Sequence, residues 1–300
     1  MTDGAARDSG AHQLRPCPPQ ATRITAWRPA VPGITEVFHA RFAEHAYPTH
    51  THDAWTVMIV DDGAVDFGLD RHRHGVTGTA TVALLPPGVA HDGRTVTSAG
   101  FRKRVLYLAP ELLPSGLIGP AVDVPLIDDR LLRHRIHQLH RALGDPGETL
   151  QAESRLAFLR ERLRFHLAAF RSPTVKPSRG TAQLASALRD LLESRLQAGI
   201  TLQEAAALLH THPTHAIRAF RRTYGLPPHA YLTGRRIDEA RRLLLAGRRP
   251  AEVAPTVGFY DQAHLHRHFT RHLGITPARF AASPRRDLPP GRVLPGTRGL

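Results

Sequence analysis

The sequence predicts a multidomain chain in which an N-terminal all-β barrel with a helical hairpin precedes an all-α domain containing two helix-turn-helix units. Three observations predict this. Short apolar runs broken by Gly, Pro and Asp fill residues 23–108, the pattern of closely spaced antiparallel strands. From about residue 126 the apolar spacing becomes helical and stays so to about residue 282. Positive charge gathers in the second part. Residues 1–175 carry 20 Lys and Arg against 18 Asp and Glu, a net of +2, whereas residues 176–300 carry 20 against 8, a net of +12. Such asymmetry marks a separate module that meets a polyanion.

Residues 1–23 are polar and Pro-bearing and are expected to be a disordered tail. They lack the apolar core of a secretory signal, and no run approaches the roughly 18 apolar residues of a membrane span, so a cytoplasmic protein is expected. Cys17 is the only cysteine, which excludes an intrachain disulfide and a Cys-based zinc site. Strands are expected at Thr35–Phe42, Trp55–Val60, Val65–Leu69, Thr79–Leu85 and Arg102–Leu108. Asp61-Asp62-Gly63, Gly75 and Pro86-Pro87-Gly88 serve as breaks. Leu131, Ile136, Leu139 and Leu143 form one helical stripe and Leu156, Leu159, Leu163 and Leu167 another, with Gly144–Gly147 between them. This hairpin would cover the sheet and offer an apolar edge to a second copy, hence an expected homodimer. The front domain then spans 24–171, a Pro/Ser/Gly linker 172–180, the helical domain 181–282 and a flexible tail 283–300.

Within the helical domain, Thr201 and Glu204 have capping-box spacing, and Leu202, Ala205, Ala206 and Leu209 give the helix an apolar face. After the turn at His210–His212, Pro213 suits a first helical position, and Ala216, Ala219 and Phe220 form a buried stripe. The pattern returns downstream. Val253 and Val257 face inward, Gly258 ends the helix, Asp261 caps the next, and Leu265, His268 and Phe269 pack. Arg218-Ala219-Phe220 matches Arg267-His268-Phe269, and Gly225-Leu226-Pro227-Pro228 matches Gly274-Ile275-Thr276-Pro277. An amphipathic helix over 228–245 joins the two units. Pro255 breaks the pattern and costs about 3 kcal/mol unless its helix is kinked or very short.

The segment GFYDQAHLHRHFTRHLGITPARF resembles the C-terminal signature of AraC-type (AraC/XylS) transcription regulators, and TLQEAAALLHTHPTHAIRAFRRTYG resembles their first helix-turn-helix. The resemblance implies that the second helix of each unit enters one of two successive major-groove segments of double-stranded DNA. By position, Thr214, His215, Ile217 and Arg218 form the first reading set, and Gln262, Ala263, His264 and Arg267 the second. Arg218 and Arg267 suit bidentate contact with guanine, worth about 1–3 kcal/mol of discrimination each. Gln262 suits adenine, and Thr214 and Ile217 suit thymine methyls. Arg221, Arg222 and Arg271 suit phosphates, which add affinity without sequence information.

HTHDAWTVMIVDDG followed by LLPPGVAH resembles a degenerate cupin pair, similar to the sensor domains of many such regulators. The expected fold is therefore a cupin-like barrel whose interior holds a small effector, with His50, His52, Trp55 and His91 as pocket residues. His50, His52 and His91 match three cupin metal-ligand positions, but Asp53, Ala54, Trp55 and Thr56 stand where the cupin glutamate belongs. Neither metal nor other cofactor is expected. The whole reads as a sequence-specific, effector-gated transcription regulator without enzymatic activity, with DNA, a small molecule and RNA polymerase as partners. The alternative is a cupin-like metalloenzyme with an accessory DNA-binding domain, which stoichiometric metal at His50 and His91 would favour. The missing glutamate opposes it, and no phosphate-binding Gly loop, nucleophile elbow or paired carboxylates stand elsewhere.

Overall fold

A computed structural model describes residues 22–77, 80–169 and 179–282. The expected tails, except for Thr22 and Arg23, and residues 172–178 of the expected linker lie outside the described residues. Nine strands come first: β1 (Arg23–Trp27), β2 (Ile34–Phe42), β3 (Ala46–His50), β4 (Trp55–Leu69), β5 (His72–Thr77), β6 (Thr81–Leu85), β7 (His91–Thr95), β8 (Phe101–Leu108) and β9 (Leu126–Asp128). Helix α1 (Ile118–Asp123) precedes β9, and α2 (Arg130–Ala142) and α3 (Thr149–Ala168) form the hairpin. The C-terminal helices are α4 (Arg179–Ser194), α5 (Leu202–Leu208), α6 (Pro213–Tyr224), α7 (Pro228–Leu245), α8 (Pro250–Thr256), α9 (Gln262–Leu273) and α10 (Pro277–Ala281).

The long strand β4 organises the barrel because it belongs to two antiparallel sheets. Its first part pairs with β8 and β6 in the order β1-β2-β8-β4-β6-β9, and its second part pairs with β5 and β7, with β3 beyond β7. Alternation along β4 divides its side chains between two cores. Trp55, Val57 and Ile59 pack with Leu132, Ile136, Leu139, Leu156, Leu159, Leu163 and Leu167 under the hairpin. Met58 and Val60 point into the barrel with Phe38, Phe42 and Phe101. Each leucine so buried contributes about 1.5–3 kcal/mol. A bulge between Ile34 and Glu36 in β2 switches the parity, so that Glu36 shares the interior face with Phe38.

The helical domain closes the barrel. One core runs from Phe38, Met58 and Val105 into Ile237, Ala240, Val253, Leu265, Phe269 and Phe280 of α7 to α10. A smaller core joins Leu188 and Leu192 of α4 to Ala216 and Phe220 of α6, and Ala90 of the barrel touches it.

Several local expectations are corrected. Asp61-Asp62-Gly63 is no turn but a bulged stretch inside β4, where Gly63 adopts φ 75° and a Cβ would lie 2.1 Å from the Gly100 carbonyl oxygen. Gly75 lies within β5. Arg23 opens β1 instead of ending a tail, and Arg179 and Gly180 begin α4 instead of ending a linker. Leu131 is exposed, and Leu132 takes its place in the buried stripe of α2, because Leu132, Ile136, Leu139 and Leu143 follow the i, i+4, i+7, i+11 spacing of one helix face, whereas Leu131 lies five residues before Ile136. The strands β3, β5 and β7 were not expected; they are polar and lack apolar runs.

Candidate functional site

Two constellations stand out, an outward basic face and an inward cavity. In the first helix-turn-helix, Thr201 and Glu204 form the complete capping box of α5. His210 takes φ 47° in the turn, and the His212 side chain accepts the Thr214 N–H at the start of α6. In the second, the Asp261 side chain accepts the His264 N–H at the start of α9. Both second helices end on a left-handed glycine, Gly225 and Gly274, with φ near 75°. Pro255 sits in the last turn of the seven-residue α8, and the N–H groups of Val257, Gly258 and Phe259 still find carbonyl partners. The helix is too short for the proline to break much of it.

Ala216, Ala219 and Phe220 of α6 and Leu265 and Phe269 of α9 are buried, which leaves the opposite faces outward. Thr214, His215, Arg218, Arg221 and Arg222 are exposed, and Ile217 is half-buried. Gln262, Ala263, Arg267 and Arg271 are exposed, and His264 is half-buried. His268 stacks on Phe259 at 5.6 Å between ring centres, so it packs and does not reach outward.

The cavity, about 60 Å³, lies inside the barrel under a wall made by the helical domain. His50, His52 and His91 line it, together with Thr56, Met58, Tyr47, Lys103 and Tyr107 from the barrel. Gly234, Ile237, Asp238 and Arg241 of α7 and His272 and Leu273 of α9 close it. Trp55 does not line it. The indole is fully buried in the core beneath the hairpin because odd positions at the start of β4 face that way, and Thr56 and Met58 face the cavity instead. Burial, reinforced by neighbouring imidazoles, pushes His50 and His52 well below the usual histidine range, and burial lowers His91 as well.

Two ion pairs and one histidine–carboxylate hydrogen bond seat α7 on the barrel. Arg241 donates to Glu36 Oε1 at 2.6 Å, Arg235 meets Asp53 Oδ2 at 2.9 Å, and His52 Nδ1 lies 3.0 Å from Asp238 Oδ1. Burial opposes the Arg241 charge, but Glu36, Tyr107 and Asp238 outweigh it and hold the guanidinium protonated. Its plane lies 4.6 Å from the Tyr107 ring centre. Gly234 of α7 packs over His50 and the Thr51 backbone, where a Cβ would make ordinary contact at 3.8 Å. Lys103 is different. Its ammonium sits 4.3 Å from the Tyr47 ring centre, and no carboxylate pairs with it among the described residues. Burial, with the Arg241 charge second, lowers it from 10.5 to about 7.

Sequence reasoning missed Glu36, Lys103, Asp238, Arg241 and His272. One signal was present: Gly234, Ile237, Asp238 and Arg241 recur at helical spacing, and Lys103 sits at an inward position of a strand.

A barrel with an interior cavity joined to a double helix-turn-helix defines a ligand-binding, DNA-binding transcription regulator. Residues 32–159 match the family described as AraC-like ligand binding domain, and residues 205–283 match a helix-turn-helix domain. The chain belongs to the AraC-type regulators. It is 23% identical over 239 residues to the HTH-type transcriptional regulator YbfI of Bacillus subtilis (strain 168), spanning 77% of this chain and 85% of YbfI. Two structures of ToxT from Vibrio cholerae share the fold. The wild-type protein of strain SCE256 with an unsaturated fatty acid bound has a TM-score of 0.52 at 10% identity, over 88% of this chain and 95% of that one. The O395 protein bound to (E)-4-(8-methylnaphthalen-1-yl)but-3-enoic acid has a TM-score of 0.55 at 9% identity, over 87% and 98%. No helix among the described residues is long and apolar enough to cross a membrane.

Proposed function

We propose that this regulator, a non-enzymatic cytoplasmic protein, reads DNA with Thr214, His215, Ile217 and Arg218 on α6 and Gln262, Ala263, His264 and Arg267 on α9. Arg221, Arg222 and Arg271 hold phosphates. The observation that carries this reading is the outward projection of these side chains from two helices that are capped and terminated alike. Arg218→Ala and Arg267→Ala are each expected to relax selectivity at a different half of the binding site, costing about 1–3 kcal/mol. Site selection from random duplexes tests this, and unchanged selectivity in either variant contradicts the assigned orientation. Loss of Arg221 should instead weaken all sequences alike and flatten the salt dependence.

The effector is a small carboxylate that enters beside Lys103. A buried ammonium without a carboxylate partner gains most from an anion, and the rings of Phe38, Phe42, Tyr47 and Phe101 surround it. Both ToxT ligands named above are carboxylic acids, but that likeness is one of fold, and the ligand class rests on Lys103. The cavity as it stands admits only a few heavy atoms, so a larger ligand must shift its α7 wall. That gives the two seatings of α7 different affinities for it, which is what gating requires. The sign of the pH effect follows from Lys103. Above pH 7 the free protein loses the ammonium that the carboxylate needs, so affinity should fall toward tenfold per pH unit. Thermal shifts with carboxylates and their matched amides check this. Equal stabilisation by both, or survival of the preference in Lys103→Met, sinks the carboxylate assignment.

The protein acts as a homodimer through α3, where Leu150, Phe158 and Phe165 are exposed along one side of the hairpin. Light scattering should find a dimer that Phe158→Glu with Phe165→Glu converts to a monomer; a double variant that stays dimeric places the interface elsewhere. RNA polymerase, the further partner, would be contacted from the DNA-bound state, and co-retention on a promoter duplex tests it.

A further inference from the structure

We infer that His50, His52 and His91 form a binding site for a divalent transition-metal ion, and that Asp238 of the helical domain is its outer-shell anchor. Metal binding and the seating of α7 on the barrel then stabilise one another. The inference does not depend on the effector being a carboxylate.

The geometry of the three rings carries it. Each imidazole has its Nδ1 turned to an oxygen acceptor: His50 to the Pro48 carbonyl at 2.7 Å, His91 to the Val89 carbonyl at 3.0 Å, and His52 to Asp238 Oδ1 at 3.0 Å. Carbonyls only accept, so His50 and His91 carry their proton on Nδ1, and the carboxylate favours the same tautomer for His52. Three unprotonated Nε2 atoms therefore face one another. Their ligand atoms all lie within 4.8 Å, and Nε2 of His50 and Nε2 of His52 are 3.2 Å apart. Two bare lone pairs at that separation repel unless a cation lies between them. Nitrogens at the usual 2.0–2.1 Å from a tetrahedral zinc ion stand about 3.3 Å apart, so His50 and His52 already have the required spacing.

The surroundings fit the same ion. His52 and His91 are buried, 8% and 6% exposed, and thus out of reach of competing water. The rings open onto the cavity, whose size suits an ion with one or two small ligands in its open positions. Three neutral imidazoles are borderline donors, suited to Zn²⁺, Co²⁺ or Fe²⁺ over Mg²⁺ or Ca²⁺. The fourth protein ligand of a cupin enzyme is missing. What this chain has instead is a carboxylate from the other domain behind His52, arranged as a carboxylate–histidine–metal relay. Asp238 is itself held by Arg241 and Arg235, at 3.6 Å each. A metal on Nε2 polarises the Nδ1–H of His52 and strengthens its bond to Asp238. It thereby tightens the contact that keeps α7 against the barrel. A bound metal thus no longer separates regulator from enzyme, whereas its dependence on Asp238 does.

The full-length protein, freed of metal by a chelator, should be titrated with Zn²⁺ against a chromophoric chelator and with Co²⁺ followed by visible absorption. One ion per chain is expected, with the intense d–d bands of a low-coordinate cobalt site. His91→Ala should abolish both signals, and His215→Ala, on the outer face, should change neither. Asp238→Asn should weaken Zn²⁺ 10–100-fold, and Zn²⁺ should slow amide exchange in α7 of the wild type. Absence of a stoichiometric Zn²⁺ or Co²⁺ complex in the wild-type protein overturns the site without recourse to any variant. Wild-type affinity in a folded Asp238→Asn protein overturns the interdomain anchor.

Discussion

Arg241 is the group on which the arrangement of this molecule depends. It lies on α7, 3% exposed, with its guanidinium against Glu36 of the barrel, Asp238 of its own helix and the face of Tyr107. Burying such a charge is costly, and only this ring of partners offsets the desolvation. Removing Arg241 leaves Glu36 without its partner in the interior, a loss of about 3–5 kcal/mol, whereas removing Glu36 leaves Arg241 with Asp238 as its remaining carboxylate. The pair therefore fixes one seating of α7 rather than merely adding to stability.

That seating matters because α7 belongs to both halves of the molecule. Its inward face closes the cavity, and it connects α6 of the first helix-turn-helix to α8 of the second. Under the proposed function, a change in the cavity bears on α7, and a shift of α7 alters the spacing of the two proposed reading helices. The core shared by the barrel and α7 to α10 makes this coupling one of packing as well as charge. The histidines and Lys103 both line the joint between the domains, the first group proposed to hold a cation and the second an anion.

Much of this was legible in the sequence where local rules act alone. The capping box at Thr201 and Glu204, Asp261 as a cap, the paired glycines Gly225 and Gly274, and the buried stripes around Phe220 and Phe269 all follow from helix chemistry. The leucines of α3 follow from periodicity. What escaped was set by long-range contact. Strands β3, β5 and β7 are polar and gain their structure from pairing, which no local pattern announces. The cupin-like resemblance places Trp55 in the pocket with the histidines, but strand alternation sends it to the opposite core. Asp238 and Arg241 have no partner that sequence alone announces, because Glu36 and His52 lie about 200 residues earlier in the chain, and only folding brings them together.

The most direct test of the coupling leaves every residue of the helical domain untouched. Glu36→Gln alters one carboxylate in the barrel, far in sequence from the reading helices, and keeps a hydrogen-bond acceptor for Arg241. The affinity of this variant for a duplex selected by the wild-type protein should differ from the wild-type value by several-fold, through the altered seating of α7. Equal affinity of two equally folded proteins would contradict the account.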